Sequence, residues 1–210
     1  METPQNIATL QSSGTVEAQQ DMLRISMNTT KEGADANAVQ TLLKTALDIA
    51  LNEAKKSAQP GQMDVRTGAF SLQPRYANSG KITGWQGTTE LVLEGRDFAR
   101  ISQVAGKIST LTLGQVTFSL SREARAKLQG QAQALAIEDF KAKAGEISKS
   151  FGFSSYSIRE VAVNTNDQGY NPQPQYEMAR AKTMAADAPV PLEAGSSIVV
   201  VTVSGAVQMK

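Results

Sequence analysis

The feature of this sequence that most limits its fold is a hairpin pattern over residues 64–94. Two long stretches alternate apolar and polar residues, and the turn-forming sequence Asn-Ser-Gly-Lys at residues 78–81 separates them. In the second stretch, Leu91 and Leu93 alternate with glutamates. Successive side chains of a strand point to opposite faces, so a period of two predicts two antiparallel strands with one face in water.

The segments around the hairpin predict further strands and two helices. Residues 7–20 and 22–28 have strand-like patterns. After Asp35 the apolar residues recur every three or four positions, which predicts an amphipathic helix with Asp35 as its N-cap. A shorter helix is predicted after Asp97, and residues 111–120 return to alternation.

This order of elements predicts an α+β fold built from two units. From residue 20 to residue 121 the order is strand, helix, strand, strand, helix, strand, which is that of a ferredoxin-like split βαβ unit. Residues 1–19 and 122–210 are predicted to form a second, smaller α+β unit, in which one long helix covers a mostly antiparallel sheet.

The evidence for the second unit lies in the C-terminal half. Apolar residues at helical spacing, many of them alanine, run through residues 121–152 and predict a long helix packed closely on a sheet. Strands are predicted at 153–163 and 196–207, and the valine run in the latter predicts a strand covered on both faces. Residues 164–191 contain four prolines and predict a long loop that is either mobile or functional.

Composition narrows the class of protein. The 210 residues are 40% hydrophobic and 20% charged, as in ordinary globular proteins. The formal net charge of +1 gives no reason to expect nucleic acid or an anionic membrane as a partner. No apolar run approaches the roughly eighteen residues of a transmembrane segment, and the first residues lack the basic and apolar regions of a signal peptide.

The sequence offers little catalytic chemistry. It has no histidine and no cysteine, which excludes Ser-His-Asp and Cys-His arrangements and the usual zinc sites. The carboxylates of Glu138 and Asp139 are adjacent on a predicted helix and point about 100° apart, so they fit a solvated surface. The sequence Ser-Gly-Lys at residues 79–81 fits a hairpin turn better than a phosphate loop. We therefore predict no catalytic residue, no metal site and no cofactor.

Aromatic residues are the best candidates for an interaction surface. Tyr76 and Trp85 lie on opposite arms of the predicted hairpin, near its turn. They fit either a cross-strand aromatic pair that fixes the register or a surface that contacts a ligand or partner. Tyr170 and Tyr176, in the predicted loop, are further interface candidates.

Several short segments carry a family resemblance. They are DVRT at residues 64–67, SLQPRY at 71–76, KITGW at 81–85, and PLEAG at 191–195 before the valine strand. Together with the alanine-rich helix they resemble the SIMPL domain family, which includes YggE-like periplasmic proteins and a periplasmic immunogenic protein. The resemblance covers nearly the whole chain, although Trp85 stands where the family often has tyrosine.

The resemblance implies a periplasmic protein of the cell envelope, in which case the chain is the mature portion with an added Met1. It implies self-assembly into a homo-oligomer, ring-shaped or channel-like in one member, and a link to oxidative-stress tolerance. It implies no set of enzymatic residues. The alternative is a monomeric periplasmic binding module that recognises a small molecule or a protein through the loop at residues 164–191.

Overall fold

The structure is a computed structural model that describes residues 5–166 and 192–210. The elements in these ranges are β1 (Ile7–Gln19), β2 (Met22–Gly33), α1 (Ala36–Lys55), β3 (Asp64–Tyr76), β4 (Ile82–Gly95), α2 (Phe98–Lys107), β5 (Thr112–Ser119), α3 (Arg122–Ser150), β6 (Tyr156–Asn166) and β7 (Ser196–Met209). The three helices and two antiparallel sheets of this part of the chain confirm the predicted α+β class.

The described chain divides into two compact units. Residues 21–119 and 192–194 form one unit, and residues 5–20, 120–166 and 195–210 form the other. We call them the two-helix unit and the one-helix unit. None of the helices in the described ranges is long and apolar enough to cross a membrane.

The two-helix unit has the predicted β-α-β-β-α-β order. Its strands lie in the order β3-β4-β2-β5, and every neighbouring pair is antiparallel. Large aliphatic side chains from β2 and β4 pack against α1 and α2 to form one core. Its buried members are Leu23, Ile25, Met27, Ala46, Ala50, Ala54, Met63, Leu91, Leu93, Ile101, Val104, Ala105, Ile108, Leu111 and Phe118.

Both helices of this unit begin at the predicted caps. Asp35 Oδ1 accepts a hydrogen bond from the Ala38 backbone N–H at 2.8 Å, and Asp97 Oδ1 accepts one from the Arg100 backbone N–H at 3.0 Å. Each carboxylate satisfies a donor that the first helical turn would otherwise leave free. The aspartates that precede the two apolar stripes therefore set where the helices start.

The one-helix unit is a three-stranded sheet in the order β1-β7-β6 with α3 packed on it. Along β7 the buried residues alternate, with Val201, Val203 and Val207 on the face toward α3. The sequence predicts cover on both faces of this strand. Within the described residues α3 covers one face, and Thr202 and Ser204 are half-buried on the other.

Small residues bring α3 close to the sheet, as the alanine pattern predicts. A Cβ atom built on Gly14 would lie 1.9 Å from the Ala132 carbonyl oxygen, so only glycine fits on β1 at this contact. Ser12 Oγ donates to the Ala136 carbonyl oxygen at 2.7 Å. Ala132 and Ala144 are fully buried. At Ala132 and Ala136 the side chains of the stripe are methyl groups, which let the helix and strand backbones nearly touch.

Candidate interaction surface

The distal part of the β3–β4 hairpin extends beyond the rest of its sheet. The last pair between β2 and β4 is Gly33 with Trp85, so residues 76–84 are paired within the hairpin alone. At the turn the Gly80 N–H donates to the Ala77 carbonyl oxygen at 2.9 Å, and Gly80 has a φ of 77°. This left-handed conformation favours glycine. The sequence Ser-Gly-Lys is therefore a hairpin turn, as predicted.

Two exposed apolar side chains face each other across this distal part. Tyr76 on β3 lies opposite Ile82 on β4, and they are 63% and 52% exposed. An aromatic residue opposite a β-branched residue is a favourable cross-strand pair. We call these two residues the tip patch. The described residues leave more than half of each side chain available to a partner.

The predicted cross-strand pair of Tyr76 and Trp85 is wrong. Trp85 is half-buried and lies between Pro74 on β3 and Gly33 on β2. The turn and a register shift between Arg75 and Tyr76 place Ile82 opposite Tyr76. In the described part of the chain, the aromatic pair is Phe98 with Phe118, whose ring centroids are 5.5 Å apart.

Polar contacts fix the shape of the hairpin arms. Arg75 forms an ion pair with Glu32 on β2, and Arg66 donates to Glu94 Oε2 at 2.7 Å. A bulge in β3 between Thr67 and Phe70 is held by Glu90, whose Oε2 accepts the Ala69 N–H at 3.1 Å. The charged groups of the arms are thus satisfied within the unit. The tip patch is the part of the distal hairpin left for apolar contact.

The remaining predicted site residues have mixed outcomes. Tyr170 and Tyr176 lie outside the described residues, as does most of the predicted loop, residues 167–191. Asp139 pairs with Lys143 at 2.8 Å on the α3 surface, and Glu138 is exposed, which agrees with the solvated face predicted for this pair. Within residues 5–166 and 192–210, no three His, Cys, Asp or Glu side chains are close enough to hold a metal ion.

Two surface carboxylates have lowered pKa values for local reasons. The backbone hydrogen bond from Arg100, followed by that residue's side-chain hydrogen bond, holds the pKa of Asp97 below its usual value. The side-chain hydrogen bond from Lys56 likewise lowers the pKa of Glu53. Both shifts favour the charged form at neutral pH. Asp97 caps the start of α2, Glu53 pairs with Lys56 at the end of α1, and neither group lies in the hairpin.

Sequence reasoning missed Ile82 as a member of the surface. It is one of several aliphatic residues in the alternating pattern, and only the register identifies it as the partner of Tyr76. That register depends on where the turn begins, which the sequence motif places within a few residues. The signal available in the sequence was an apolar residue immediately after the turn lysine.

Comparison with solved structures finds weak similarity to another protein. The crystal structure of AtUAH in complex with glyoxylate has a TM-score of 0.27 and 14% identity, over 68% of this chain and 34% of that chain. AtUAH in complex with (S)-hydroxyglycine has a TM-score of 0.25 and 15% identity, over 67% and 34%. The chain thus spans about a third of each, and scores this low carry no argument about fold or function.

The family comparison is more informative. A search of curated proteins finds no match. The sequence profile of the SIMPL family, described as a protein of unknown function (DUF541), matches residues 8–207. This match covers nearly all of the 210 residues, including both units of the described structure. The chain therefore belongs to the SIMPL family.

Proposed function

We propose that this protein is a non-enzymatic component of the periplasm that works as a homo-oligomer, and that the tip patch supplies one of its self-contacts. The observation that carries the proposal is the exposure of Tyr76 and Ile82 side by side on a hairpin that extends past its sheet. The periplasmic location rests on the family resemblance. The link to oxidative-stress tolerance remains an expectation from the same source.

The physical argument concerns the cost of leaving these side chains in water. Tyrosine is a preferred anchor at protein interfaces because it buries a large ring and keeps a polar end. Covering the exposed half of an isoleucine gains about 1 kcal/mol. In a monomer the two side chains gain only the cross-strand contact with each other, whereas a contact between copies would also bury their exposed surface.

The size of the tip patch also limits what it can do alone. Stable protein interfaces bury about 1,200–2,000 Å² in total, which is far more than two side chains provide. A contact through Tyr76 and Ile82 therefore needs either a receiving surface on the second copy or a further contact elsewhere. An assembly of several copies meets this need because each copy is held at more than one surface.

The test is the solution mass of a Tyr76→Thr/Ile82→Thr variant. Threonine keeps the strand preference and the β-branching of the hairpin while removing most of the apolar surface. We expect a lower assembly mass than that of the wild type, with an unchanged far-UV circular dichroism spectrum. The matched control is Leu42→Gln/Ile49→Gln, which removes two leucine-sized side chains of similar exposure from α1.

The control variant should assemble like the wild type, because the proposal gives α1 no part in the contact. A hairpin variant with wild-type mass would remove the tip patch from the interface. A wild-type chain that is monomeric at micromolar concentration would instead favour the binding module, with the tip patch as a surface for a different partner.

A further inference from the structure

The last strand before residue 167 has an edge without a described neighbour. Strand β6 pairs with β7 along one side, and it is the outer strand of the order β1-β7-β6. Among residues 5–166 and 192–210, no strand pairs with its other side. An outer strand presents a row of backbone N–H and C=O groups that can pair with another strand.

Strand β6 also carries a row of exposed aliphatic residues. Ile158, Val161 and Val163 are 47%, 45% and 44% exposed. Their partners on β7 are Val207, Gly205 and Val203, and these lie on the face that α3 covers. We call the three exposed residues the β6 row. They lie on the face of the sheet that packs against α3, but α3 does not cover them.

The position of α3 explains why the β6 row is open. Ser12 and Gly14 hold the helix close to β1, and Lys143 reaches the Gln11 carbonyl oxygen at 3.5 Å. At the first residue of β6, the Tyr156 hydroxyl donates to the Lys141 carbonyl oxygen of α3 at 3.3 Å. Beyond that point the helix contacts mainly β1 and β7.

Two opposite charges stand next to each other in the middle of β6. A bulge between Ile158 and Glu160 places Arg159 and Glu160 together, and Glu160 pairs with Ala206 on the face away from α3. Arg159 points to the same face, since its Nη1 donates to Gln208 Oε1 at 3.2 Å. An arginine followed by a glutamate is self-complementary about a two-fold axis that passes between them.

We propose that a second copy of this chain occupies the open edge of β6, with the two β6 strands antiparallel about that two-fold axis. In this register Ile158 lies opposite Val161 of the second copy, and Arg159 lies opposite its Glu160. Both residues of each pair then lie on the same face of the combined sheet, the aliphatic pair on one face and the charged pair on the other. The two β6 rows form one continuous apolar strip. Each Arg159 lies opposite a Glu160 of the other copy, so opposite charges are paired twice.

This pairing is a separate contact from the one through the tip patch and does not depend on it. The two contacts lie in different units of the chain, the tip patch in the two-helix unit and β6 in the one-helix unit. In the Tyr76→Thr/Ile82→Thr variant we therefore expect a dimer to remain. A monomer in that variant at micromolar concentration would overturn the β6 pairing, whatever the hairpin does.

Engineered thiols test the register directly, because the chain has no cysteine of its own. Ile158→Cys and Val161→Cys chains are purified separately, refolded together and oxidised. Residues directly opposite in an antiparallel pair have Cα atoms about 4.5–5.5 Å apart, which suits a disulfide. We expect the mixture to give a cross-linked dimer on a reducing-agent-sensitive gel.

Each single variant alone is the matched control. Two copies of position 158 are offset by three residues, or about 10 Å along the strands, which is beyond the reach of a disulfide. We expect little cross-linking in either sample by itself. A mixture that cross-links no more than the single variants would overturn the proposed register.

Charge exchange gives an independent test in the hairpin-variant background. Arg159→Glu or Glu160→Arg alone places like charges opposite each other twice, and should raise the dimer dissociation constant about tenfold. The double exchange Arg159→Glu/Glu160→Arg restores both pairs and should restore the wild-type constant. A double exchange as weak as the single changes would contradict the pairing and leave these charges as groups that keep an exposed edge soluble.

Discussion

The two sheets differ in how much helix covers them. In the two-helix unit, α1 and α2 lie over β2, β3 and β4, and the buried face of β2 and β4 is built mainly from leucine, isoleucine and methionine. In the one-helix unit, α3 alone lies on three strands of the described chain. A helix is about 10 Å wide and strands are about 4.8 Å apart, so one helix shelters about two strands. The third strand, β6, keeps its aliphatic residues exposed.

The difference in helix cover separates buried surfaces, which stabilise the fold, from exposed apolar surfaces, which remain available for contact with another chain. The large side chains of the two-helix unit fill a wide space between helices and sheet, and they are fully buried. The small residues of α3 instead allow close contact over a narrow strip. Exposed apolar residues include the tip patch in one unit and the β6 row in the other. We expect stability and assembly to depend on different residues.

The largest expected effect is the loss of volume in the two-helix unit. Leu93 on β4 is fully buried in its core, and Leu93→Ala should lower the free energy of unfolding by about 2–5 kcal/mol. Urea unfolding followed by fluorescence measures this, since Trp85, the one tryptophan of the chain, lies in the same unit. Leu113→Ala on β5 is the control, because that leucine is substantially exposed. Equal losses in both variants would contradict the assigned core.

A gain of volume should be the damaging change in the one-helix unit. Ala132 is fully buried where α3 meets Gly14 of β1, and Ala132→Leu should cost about 1–3 kcal/mol because the backbones must separate. The same substitution at Ala142, which is exposed on the same helix, is the control. Thermal unfolding followed by far-UV circular dichroism compares the two. If both variants melt alike, the close contact does not limit stability as described.

Local sequence patterns predict most of this fold. The caps Asp35 and Asp97 and the alanine stripe of α3 act over one turn or one helix face, where spacing alone determines which residues meet. The element order around the hairpin then gives the ferredoxin-like arrangement. These features need no knowledge of distant contacts.

Two features of the candidate surfaces depend on geometry that local patterns do not carry. The partner of Tyr76 is Ile82, because a register shift between Arg75 and Tyr76 moves the last pair of the hairpin by one residue. The exposure of Ile158 on β6 depends on the width of α3 and on its position over β1. The same alternation would predict a buried residue in a sheet with wider coverage. The strand register and the position of the helix therefore determine which residues form the tip patch and the β6 row.

Both proposed contacts require that these uncovered apolar residues make the chain assemble with itself. The most direct test is the mass of the wild-type protein in solution at micromolar concentration, measured by sedimentation equilibrium or light scattering. We expect a defined multiple of the 22.4 kDa chain mass, reduced to a dimer by Tyr76→Thr/Ile82→Thr. A wild-type mass of one chain would contradict it.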